Sequence, residues 1–287
     1  MSDISESKNK EFPSIIKLKS GSKLLALDKP LVMGILNISP DSFYEGSRFP
    51  ESEDLLKKAG LMIEEGADIL DLGAVSTRPF AEEVSEREEL GRLLPSLRKV
   101  RKEFPDLFVS VDTWRSKIAR AAIEEGADII NDVSGGCFDK KMAQTIAHYK
   151  KPFVLMHTKG DPKIMQVAPS YRYVNQEIMD FFNDRIKYFY DLGVDQLILD
   201  PGFGFGKSLD HNYEIIKNLK QYQTFGLPVL AGVSRKSMIY KALGITPSDA
   251  LNGTTVLNTI ALLNGANILR VHDVKAAKEA IKIVSRI

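Results

Sequence analysis

The chain has 287 residues with a formal net charge of +1, and 44% of its residues are hydrophobic. This composition supplies a core but no strong positive field for nucleic acid, and no apolar run reaches the roughly 18 residues of a membrane span. The single cysteine, Cys137, excludes an intrachain disulfide framework and suits a reducing cytosol. We therefore expect a soluble cytoplasmic protein with no nucleic-acid or membrane partner.

The N-terminal region contains two different patterns. Residues 1–13 are polar and are predicted to form a disordered tail. Residues 15–27 carry apolar runs on either side of Gly21 and Ser22, which predicts a hairpin. One repeating pattern fills the rest of the chain, so we expect a single domain over residues 14–287, with the hairpin closing its bottom.

Eight short apolar runs stop abruptly at polar or charged residues. A buried parallel strand has this near-continuous apolar composition, and the catalytic groups of barrel enzymes lie at the carboxyl ends of such strands. The first run ends at Asn37, and the polar loop after it is too long for a minimal connection, which indicates an active-site loop. The predicted strands cover residues 31–36, 67–72, 107–111, 127–130, 152–156, 196–199, 228–231 and 267–269.

Segments with helical periodicity lie between the strands. In residues 90–100, for example, the leucines fall on one helical face. The sequence Glu-Glu-Gly-Ala-Asp occurs at 64–68 and again at 124–128, and each copy is typical of a helix end, a glycine C-cap and a new strand. Eight such units, each with a polar strand end, predict an α/β fold of the (β/α)8 TIM-barrel type rather than a doubly wound sheet.

Two glycine-rich segments look like nucleotide-binding loops but do not fit those motifs. Residues 206–208, Gly-Lys-Ser, end like a phosphate-binding loop, yet Pro201 stands where the first glycine is required. Gly202 and Gly204 lack the third glycine of a dinucleotide fingerprint, because a lysine occupies its position. The segment instead places Asp200 at a strand end beneath a loop that carries two phenylalanines.

Four strand-end side chains would meet on one rim of the barrel: Asp112, Asn131, Asp200 and Lys236. A carboxylate at such a place can accept two adjacent N–H donors from a flat heterocycle with an amino-amide edge. This set of side chains suits a pterin or a purine-like ring.

The last strand carries two side chains that we expect to be cationic, Arg270 and His272. Because the side-chain period of a strand is two, both point the same way. With Asn37 as an oxygen donor to a hard cation, they suit a pyrophosphate that retains Mg²⁺. The isolated His157 is more typical of a packed side chain than of a ligand, and a structural or solvated role for Lys207 is at least as plausible as a chemical one.

The chain resembles the dihydropteroate synthase family, whose sequence blocks occur in the same order along nearly all of residues 31–277. The matching blocks begin with Gly-Ile-Leu-Asn-Ile-Ser-Pro-Asp-Ser-Phe and end with Arg-Val-His. Any one block is weak evidence for the resemblance, but eight blocks in the same order are strong evidence. They cover residues 34–43, 76–79, 111–112, 130–133, 155–157 with 162–166, 200–205, 234–236 and 270–272.

The resemblance implies a transferase of folate biosynthesis. Such enzymes join 6-hydroxymethyl-7,8-dihydropterin diphosphate to para-aminobenzoate, giving 7,8-dihydropteroate and pyrophosphate. The implied route is dissociative loss of pyrophosphate followed by attack of the arylamine, with Mg²⁺ as cofactor. The expected assembly is a homodimer.

The resemblance also implies roles for residues at matching positions. The pterin pocket would comprise Asp112, Asn131, Met156, Asp200 and Lys236. The pyrophosphate pocket would comprise Asn37, Thr77, Arg270 and His272, with Asn37 as metal ligand. The para-aminobenzoate pocket would comprise Thr77, Arg78, Pro79, Phe205, Lys236 and Ser237. The catalytic set would be Asp112, Lys236, Arg270 and His272.

One block departs from the family pattern. Val75 and Phe80 replace a carboxylate and a glycine that flank Ser-Thr-Arg-Pro in the family, so the resemblance leaves the exact fit of para-aminobenzoate and the sensitivity to sulfonamides open. Two alternatives remain open from the sequence. A non-catalytic pterin-binding paralogue would bind pterin without releasing pyrophosphate, and a pterin-dependent methyltransferase barrel would lack the Ser-Thr-Arg-Pro and Ser-Arg-Lys blocks.

Overall fold

The structure is a computed structural model that describes residues 16–38, 51–75, 84–160 and 169–287. The predicted N-terminal tail, the loop that follows the first barrel strand, and Thr77, Arg78 and Pro79 lie outside the described residues.

The first described elements are two short antiparallel strands, β1 (Lys17–Ser20) and β2 (Lys23–Ala26). Gly21 in their connection has a φ of +59°, a conformation that glycine adopts without steric cost. Leu18 on β1 and Leu27 after β2 are buried in the same hydrophobic cluster as the first residues of the barrel strands. The predicted hairpin and its place at the barrel bottom are confirmed.

Eight parallel strands form the barrel, and they begin and end within two residues of the predicted positions. The strands are β3 (Leu31–Asn37), β4 (Ile69–Gly73), β5 (Phe108–Asp112), β6 (Ile129–Asp132), β7 (Phe153–Met156), β8 (Leu197–Asp200), β9 (Leu230–Ala231) and β10 (Ile268–Val271). Neighbouring strands follow the order β8-β7-β6-β5-β4-β3-β10-β9, and a bridge between Leu199 and Val229 connects the two ends of this order. The predicted (β/α)8 barrel is therefore confirmed.

Helices cover the outside of the barrel. The second of them begins at the N-cap Ser85, whose side chain accepts a hydrogen bond from the backbone of Glu88, and it continues through Pro95. Gly66 and Gly126, both with positive φ, follow the first and third helices as the repeated sequence predicts. The helices are α1 (Glu51–Glu64), α2 (Glu86–Glu103), α3 (Ser116–Glu124), α4 (Met142–Tyr149), α5 (Val174–Asp191), α6 (Leu209–Lys217), α7 (Ser237–Leu243), α8 (Leu251–Leu263) and α9 (Val274–Val284). None of the helices in the described ranges is both long and apolar enough to span a membrane.

Side chains of the strands alternate between two hydrophobic clusters. On β4, for example, Ile69 belongs to the cluster inside the barrel, while Leu70 and Leu72 belong to the cluster between strands and helices. The inward positions turn polar toward the carboxyl ends, as Ile69 is followed on the same face by Asp71, and Ile268 by Arg270. The apolar half of the interior fixes the barrel, and the polar half is left to form a site.

Candidate active site at the carboxyl ends of the strands

A cleft with a volume of about 190 Å³ opens at the carboxyl ends of the strands. Side chains from opposite parts of the sequence reach it, because the last strand, β10, pairs with the first barrel strand, β3. Arg270 and His272 both line it, which confirms that they point the same way. The other lining residues are Ile35, Asn37, Val75, Asp112, Phe205, Gly232, Ser234, Arg235 and Lys236.

An ion-pair network lies at the base of this region. The Arg270 guanidinium donates from Nε to Asp71 Oδ2 at 2.7 Å and from Nη2 to Asp112 Oδ2 at 2.9 Å. Asn131 Nδ2 donates to the same Asp71 oxygen at 3.0 Å. Asp71, to which the sequence analysis gave no role, therefore links Asn131 to Arg270, and Arg270 links both to Asp112.

Asp71 is fully buried, and its Oδ1 has no hydrogen-bond partner among the described residues. A buried carboxylate oxygen without a partner is costly, and such groups are found at functional sites. A signal was present in the sequence, because Asp71 is a charged residue within an apolar strand, on the face that turns polar at this end.

The surroundings of Asp112 disfavour its charged form. Burial raises the pKa of its carboxyl to about 7, against the opposing effect of Arg270, and the nearby carboxylates of Asp71, Asp132 and Glu89 add to the rise. Burial also raises the pKa of Asp200, whose Oδ1 accepts a hydrogen bond of 2.7 Å from the backbone of Gly202. Both carboxyls thus have unused capacity to interact with a cation or with N–H donors.

Lys236 lies between the pterin residues and the loop that carries Phe205. Its Nζ donates to Phe203 O at 2.6 Å and lies 4.7 Å from the centre of the Phe205 ring. Burial lowers the pKa of Lys236 to about 8, although Asp200 opposes this shift. Cation and aromatic ring are therefore already adjacent where the sequence analysis predicted para-aminobenzoate.

The remaining predicted residues are placed by strand register. Met156 pairs with Asp200 across β7 and β8, and Asn37 is linked through Gly73 to Asp112 across β3, β4 and β5. Met156 is buried and Asn37 is exposed. Ser237 is the first residue of α7, directly after Lys236, and is partly exposed without lining the cleft.

A buried lysine holds the glycine-rich loop after β8. Lys207 Nζ donates to the carbonyl oxygens of Gly202, Phe205 and His157, and it lies 3.1 Å from His157 Nδ1. Burial lowers its pKa to about 7. A side chain at Gly202 would place Cβ 2.0 Å from His157 O, so glycine is required there. In this structure Lys207 and His157 support the loop rather than line the cleft.

The turn after β9 was quoted in the sequence analysis only as a motif. Ser234 and Arg235 both line the cleft and contact the residues that follow β10: Ser234 Oγ lies 3.0 Å from His272 Nδ1, and Arg235 pairs with Asp273. The pairing of β9 with β10 could have suggested these contacts, since both residues follow paired strand ends.

One electrostatic expectation was wrong. His272 was expected to be a cation, but burial, with the neighbouring Arg270, lowers its pKa to about 4, so its imidazole is neutral near pH 7.

Within the described ranges, no three His, Cys, Asp or Glu side chains are grouped closely enough to hold a metal ion.

Comparison with known proteins gives a consistent picture. The profile of a family described as pterin binding enzyme matches residues 33–272. Dihydropteroate synthase of Escherichia coli (strain K12) is 42% identical over 271 residues, which cover 94% of this chain and 95% of that protein. Dihydropteroate synthase of Haemophilus influenzae is 41% identical over 93% of this chain and 98% of that protein.

Solved structures agree with these relatives. The Yersinia pestis dihydropteroate synthase in complex with a sulfonamide drug has a TM-score of 0.88 and 39% identity, covering 94% of this chain and 98% of that one. The Xanthomonas albilineans dihydropteroate synthase with 4-aminobenzoic acid also has a TM-score of 0.88, with 37% identity over 95% of this chain and 98% of that one.

Proposed function

Since the chain belongs to the pterin-binding enzymes and, within them, to the dihydropteroate synthase family of transferases, we propose how its cleft holds the substrates of that reaction. The observation that carries the arrangement is the network in which Arg270 joins Asp71 and Asp112 at the strand ends. It brings buried carboxylates and the guanidinium donors of Arg270 together at the cleft. Such a combination suits a substrate with a basic heterocycle and an anionic leaving group.

The pterin ring is proposed to lie against Asp112, Asn131, Met156, Asp200 and Lys236. The raised pKa values of Asp112 and Asp200 support this arrangement, since N–H donors from a ring would replace the interactions that burial removes. The thioether of Met156 supplies a polarizable surface for ring packing.

The diphosphate is proposed to bind at Asn37, Arg270 and His272, together with Thr77 from outside the described residues. Arg270 uses Nε and Nη2 in its ion pairs, so its Nη1 donors, which have no partner within the described chain, are left for phosphate oxygens.

Magnesium is the proposed cofactor. Mg²⁺ prefers oxygen ligands, keeps several waters, and in phosphate-transfer sites needs only one or two protein ligands beside the substrate. The donor chemistry at this rim fits, because Asn37 supplies an amide oxygen at the exposed end of β3. When bound there, the ion would offset negative charge on the departing pyrophosphate.

Para-aminobenzoate is proposed to lie beside Phe205 and Lys236, with its carboxylate near Ser237 at the start of α7. The contact between Lys236 and the Phe205 ring supports this assignment. Thr77, Arg78 and Pro79 are carried over from the family pattern alone. The Xanthomonas albilineans relative, whose structure contains 4-aminobenzoic acid, supports the choice of ligand.

In the proposed mechanism, the bond between the methylene carbon and the diphosphate oxygen breaks, and its electron pair leaves with pyrophosphate. The buried carboxylates stabilise the positive charge that develops on the pterin, while Arg270 and His272 donate hydrogen bonds to the leaving group. The arylamine nitrogen then forms the new C–N bond with its lone pair and passes one proton to the departed pyrophosphate. Dihydropteroate and pyrophosphate are the products.

A pyrophosphate-release assay with dihydropterin diphosphate, with and without para-aminobenzoate, tests this function. We expect sustained release only with both substrates, and an abolished rate in Arg270→Ala. Asp106→Asn, which changes an exposed carboxylate in a connection outside the cleft, is the matched control and should keep the full rate. Pterin binding without release would instead indicate the non-catalytic paralogue.

We also propose that the protein is a homodimer that pairs through α7 and α8. Val256 and Leu263 lie seven residues apart on one face of α8 and are 50% and 56% exposed, and Leu243 at the end of α7 is 56% exposed. Sedimentation or light scattering should show a dimer that Val256→Arg with Leu263→Arg converts to monomer. A cytoplasmic location is proposed as well, on the basis of the lone Cys137.

A further inference from the structure

Ser234 makes two contacts with the same residue at the rim of the cleft. Its Oγ accepts a hydrogen bond of 3.2 Å from the backbone N–H of His272 and lies 3.0 Å from Nδ1 of the His272 ring. Ser234 is buried, with 3% of its surface exposed, so its hydroxyl has little access to water.

The surrounding backbone fixes this pair. Ser234 and His272 continue the register in which Leu230 pairs with Ile268, and the next residues, Arg235 and Asp273, form a bidentate ion pair with two N···O distances of 2.9 Å. Arg235 has a φ of +54°, an unfavourable conformation for a residue with a side chain. Its backbone N–H donates to Thr254 Oγ1 at 3.0 Å, which helps to hold the turn.

The hydrogen-bond inventory determines where the protons are. A backbone N–H can only donate, so Ser234 Oγ is the acceptor in that contact. The buried hydroxyl proton then needs an acceptor of its own, and His272 Nδ1 is the one within reach in the described part of the chain. If Nδ1 accepts, the single proton of a neutral imidazole is on Nε2.

We propose that Ser234 is a positioning residue that holds His272 as the neutral tautomer protonated on Nε2, so that Nε2 donates a hydrogen bond to the diphosphate leaving group. The inference rests on the proposed diphosphate pocket. His272 lines the cleft, and because its Nδ1 faces Ser234, Nε2 is the ring nitrogen left for a ligand.

The charge environment agrees with a neutral ring. Burial, Arg270, Arg235 and Lys236 all lower the pKa of His272, and Asp273 only partly opposes them, so the pKa falls to about 4. Arg270 supplies the positive charge at this rim, while His272 supplies a directed N–H. Ser234 therefore determines which ring nitrogen of His272 carries the proton, and it does so without contacting the substrate.

The tautomer can be measured directly by NMR on protein labelled with ¹⁵N-histidine, at pH 7 and without ligand. The resonances of His272 are assigned by their loss in His272→Gln. We expect the Nε2–H form in the wild type, a mixture of tautomers in Ser234→Ala, and recovery in Ser234→Thr, which keeps the hydroxyl. An Nδ1–H form or an imidazolium in the wild type would overturn the inference, whatever the activity of the enzyme.

Two kinds of variant connect the tautomer to the substrate. Ser234→Ala should lower kcat about tenfold with little change in KM, as expected for loss of one positioned hydrogen bond, and Ser234→Thr should restore it. His272→Gln places an amide donor where Nε2 lies and should bind dihydropterin diphosphate more tightly than His272→Asn, whose shorter amide reaches the Nδ1 position.

The outcomes separate failure of this inference from failure of the proposed function. Equal binding of the diphosphate by the Gln and Asn variants would overturn the role of Nε2 even if the wild type is active. A wild type that shows the Nε2–H form but binds no dihydropterin diphosphate would instead overturn the proposed function together with the inferred donation. Thermal unfolding of each variant distinguishes a changed site from an unfolded chain.

Discussion

The two ends of the barrel both bury carboxylates, but they treat them differently. At the amino end, Asp128 accepts hydrogen bonds from Ser20 Oγ at 2.8 Å, Lys23 Nζ at 2.5 Å, Arg101 Nη2 at 2.6 Å and Val109 N at 3.0 Å. At the carboxyl end, one oxygen of Asp71 has no partner among the described residues. The same residue type is thus fully paired at one end and incompletely paired at the other.

At the amino end, the same hydrogen bond from a backbone N–H to a side-chain oxygen occurs three times. Asp68 Oδ2 accepts from Val32 N at 2.7 Å, and Asn267 Oδ1 accepts from Val229 N at 2.9 Å, as Asp128 does from Val109. In each case the second residue after the glycine of a helix–glycine turn bonds the backbone at or next to the start of the neighbouring strand. For carboxylates, the difference teaches that the amino end uses them for stability, whereas the carboxyl end keeps an unsatisfied oxygen that a ligand can satisfy.

The largest expected effect is on stability at the amino end. Asp128→Asn should lower the free energy of unfolding by about 3 kcal/mol or more, because Lys23 and Arg101 lose the charge that compensates them in a buried setting. Urea unfolding followed by circular dichroism measures this. Asp68→Asn is the matched control, with a smaller loss of about 1 kcal/mol, since Asp68 is more exposed and pairs with Lys278. Equal losses would contradict the proposed special role of Asp128.

Asp200→Asn should give the opposite result, with binding lost and stability kept. An amide can accept one ring N–H but opposes the second with its own donor, which costs about 1–3 kcal/mol, or roughly 5- to 150-fold in pterin affinity. The backbone of Gly202 can still donate to the remaining oxygen, so unfolding should change by less than about 1 kcal/mol. Unchanged affinity for hydroxymethyl dihydropterin in calorimetry would remove Asp200 from the pocket.

The raised pKa of Asp112 predicts a pH dependence of pterin binding. Pterin affinity should fall as the pH drops below about 7, by up to about tenfold per pH unit, because the protonated carboxyl loses acceptor capacity. The folded pKa lies above the ordinary 3.8, so the folded state holds an extra proton between these values. This group's contribution to stability therefore declines as the pH rises from about 4 to 7.

Asp112→Asn is the test of that assignment. It should flatten both pH profiles, in calorimetry with the pterin and in urea unfolding, because the amide does not titrate. A wild-type affinity that stays constant from pH 8 to pH 5 would show that Asp112 does not accept a hydrogen bond from the ring.

Periodicity predicted the strands, the hairpin and the side on which site residues lie, because burial in a barrel leaves a direct mark on the order of apolar residues. The partners at the site left no such mark. Asp71 and Arg270 are 199 positions apart, and only the closed barrel brings them together. The neutral state of His272 depends on burial and on the neighbouring Arg270, which no local pattern records. The order of residues in the sequence therefore predicts where site residues lie more readily than it predicts their protonation states.

The smallest expected effect concerns magnesium, and it sharpens the contrast between the paired carboxylate Asp128 at the amino end and the incompletely paired Asp71 at the carboxyl end. Chelation should weaken binding of dihydropterin diphosphate about two- to tenfold, the range of one net hydrogen bond or a comparable ligand contact, and leave hydroxymethyl dihydropterin unaffected. Asn37→Ala should produce the same loss and make binding insensitive to chelator, because both changes remove one interaction and do not add. Asp106→Asn serves as the control and should respond to chelator like the wild type. The loss in the free energy of unfolding caused by Asp128→Asn should be the same with and without magnesium. Equal weakening of the diphosphate and the free alcohol would show that the ion acts on the protein as a whole and not at the leaving group.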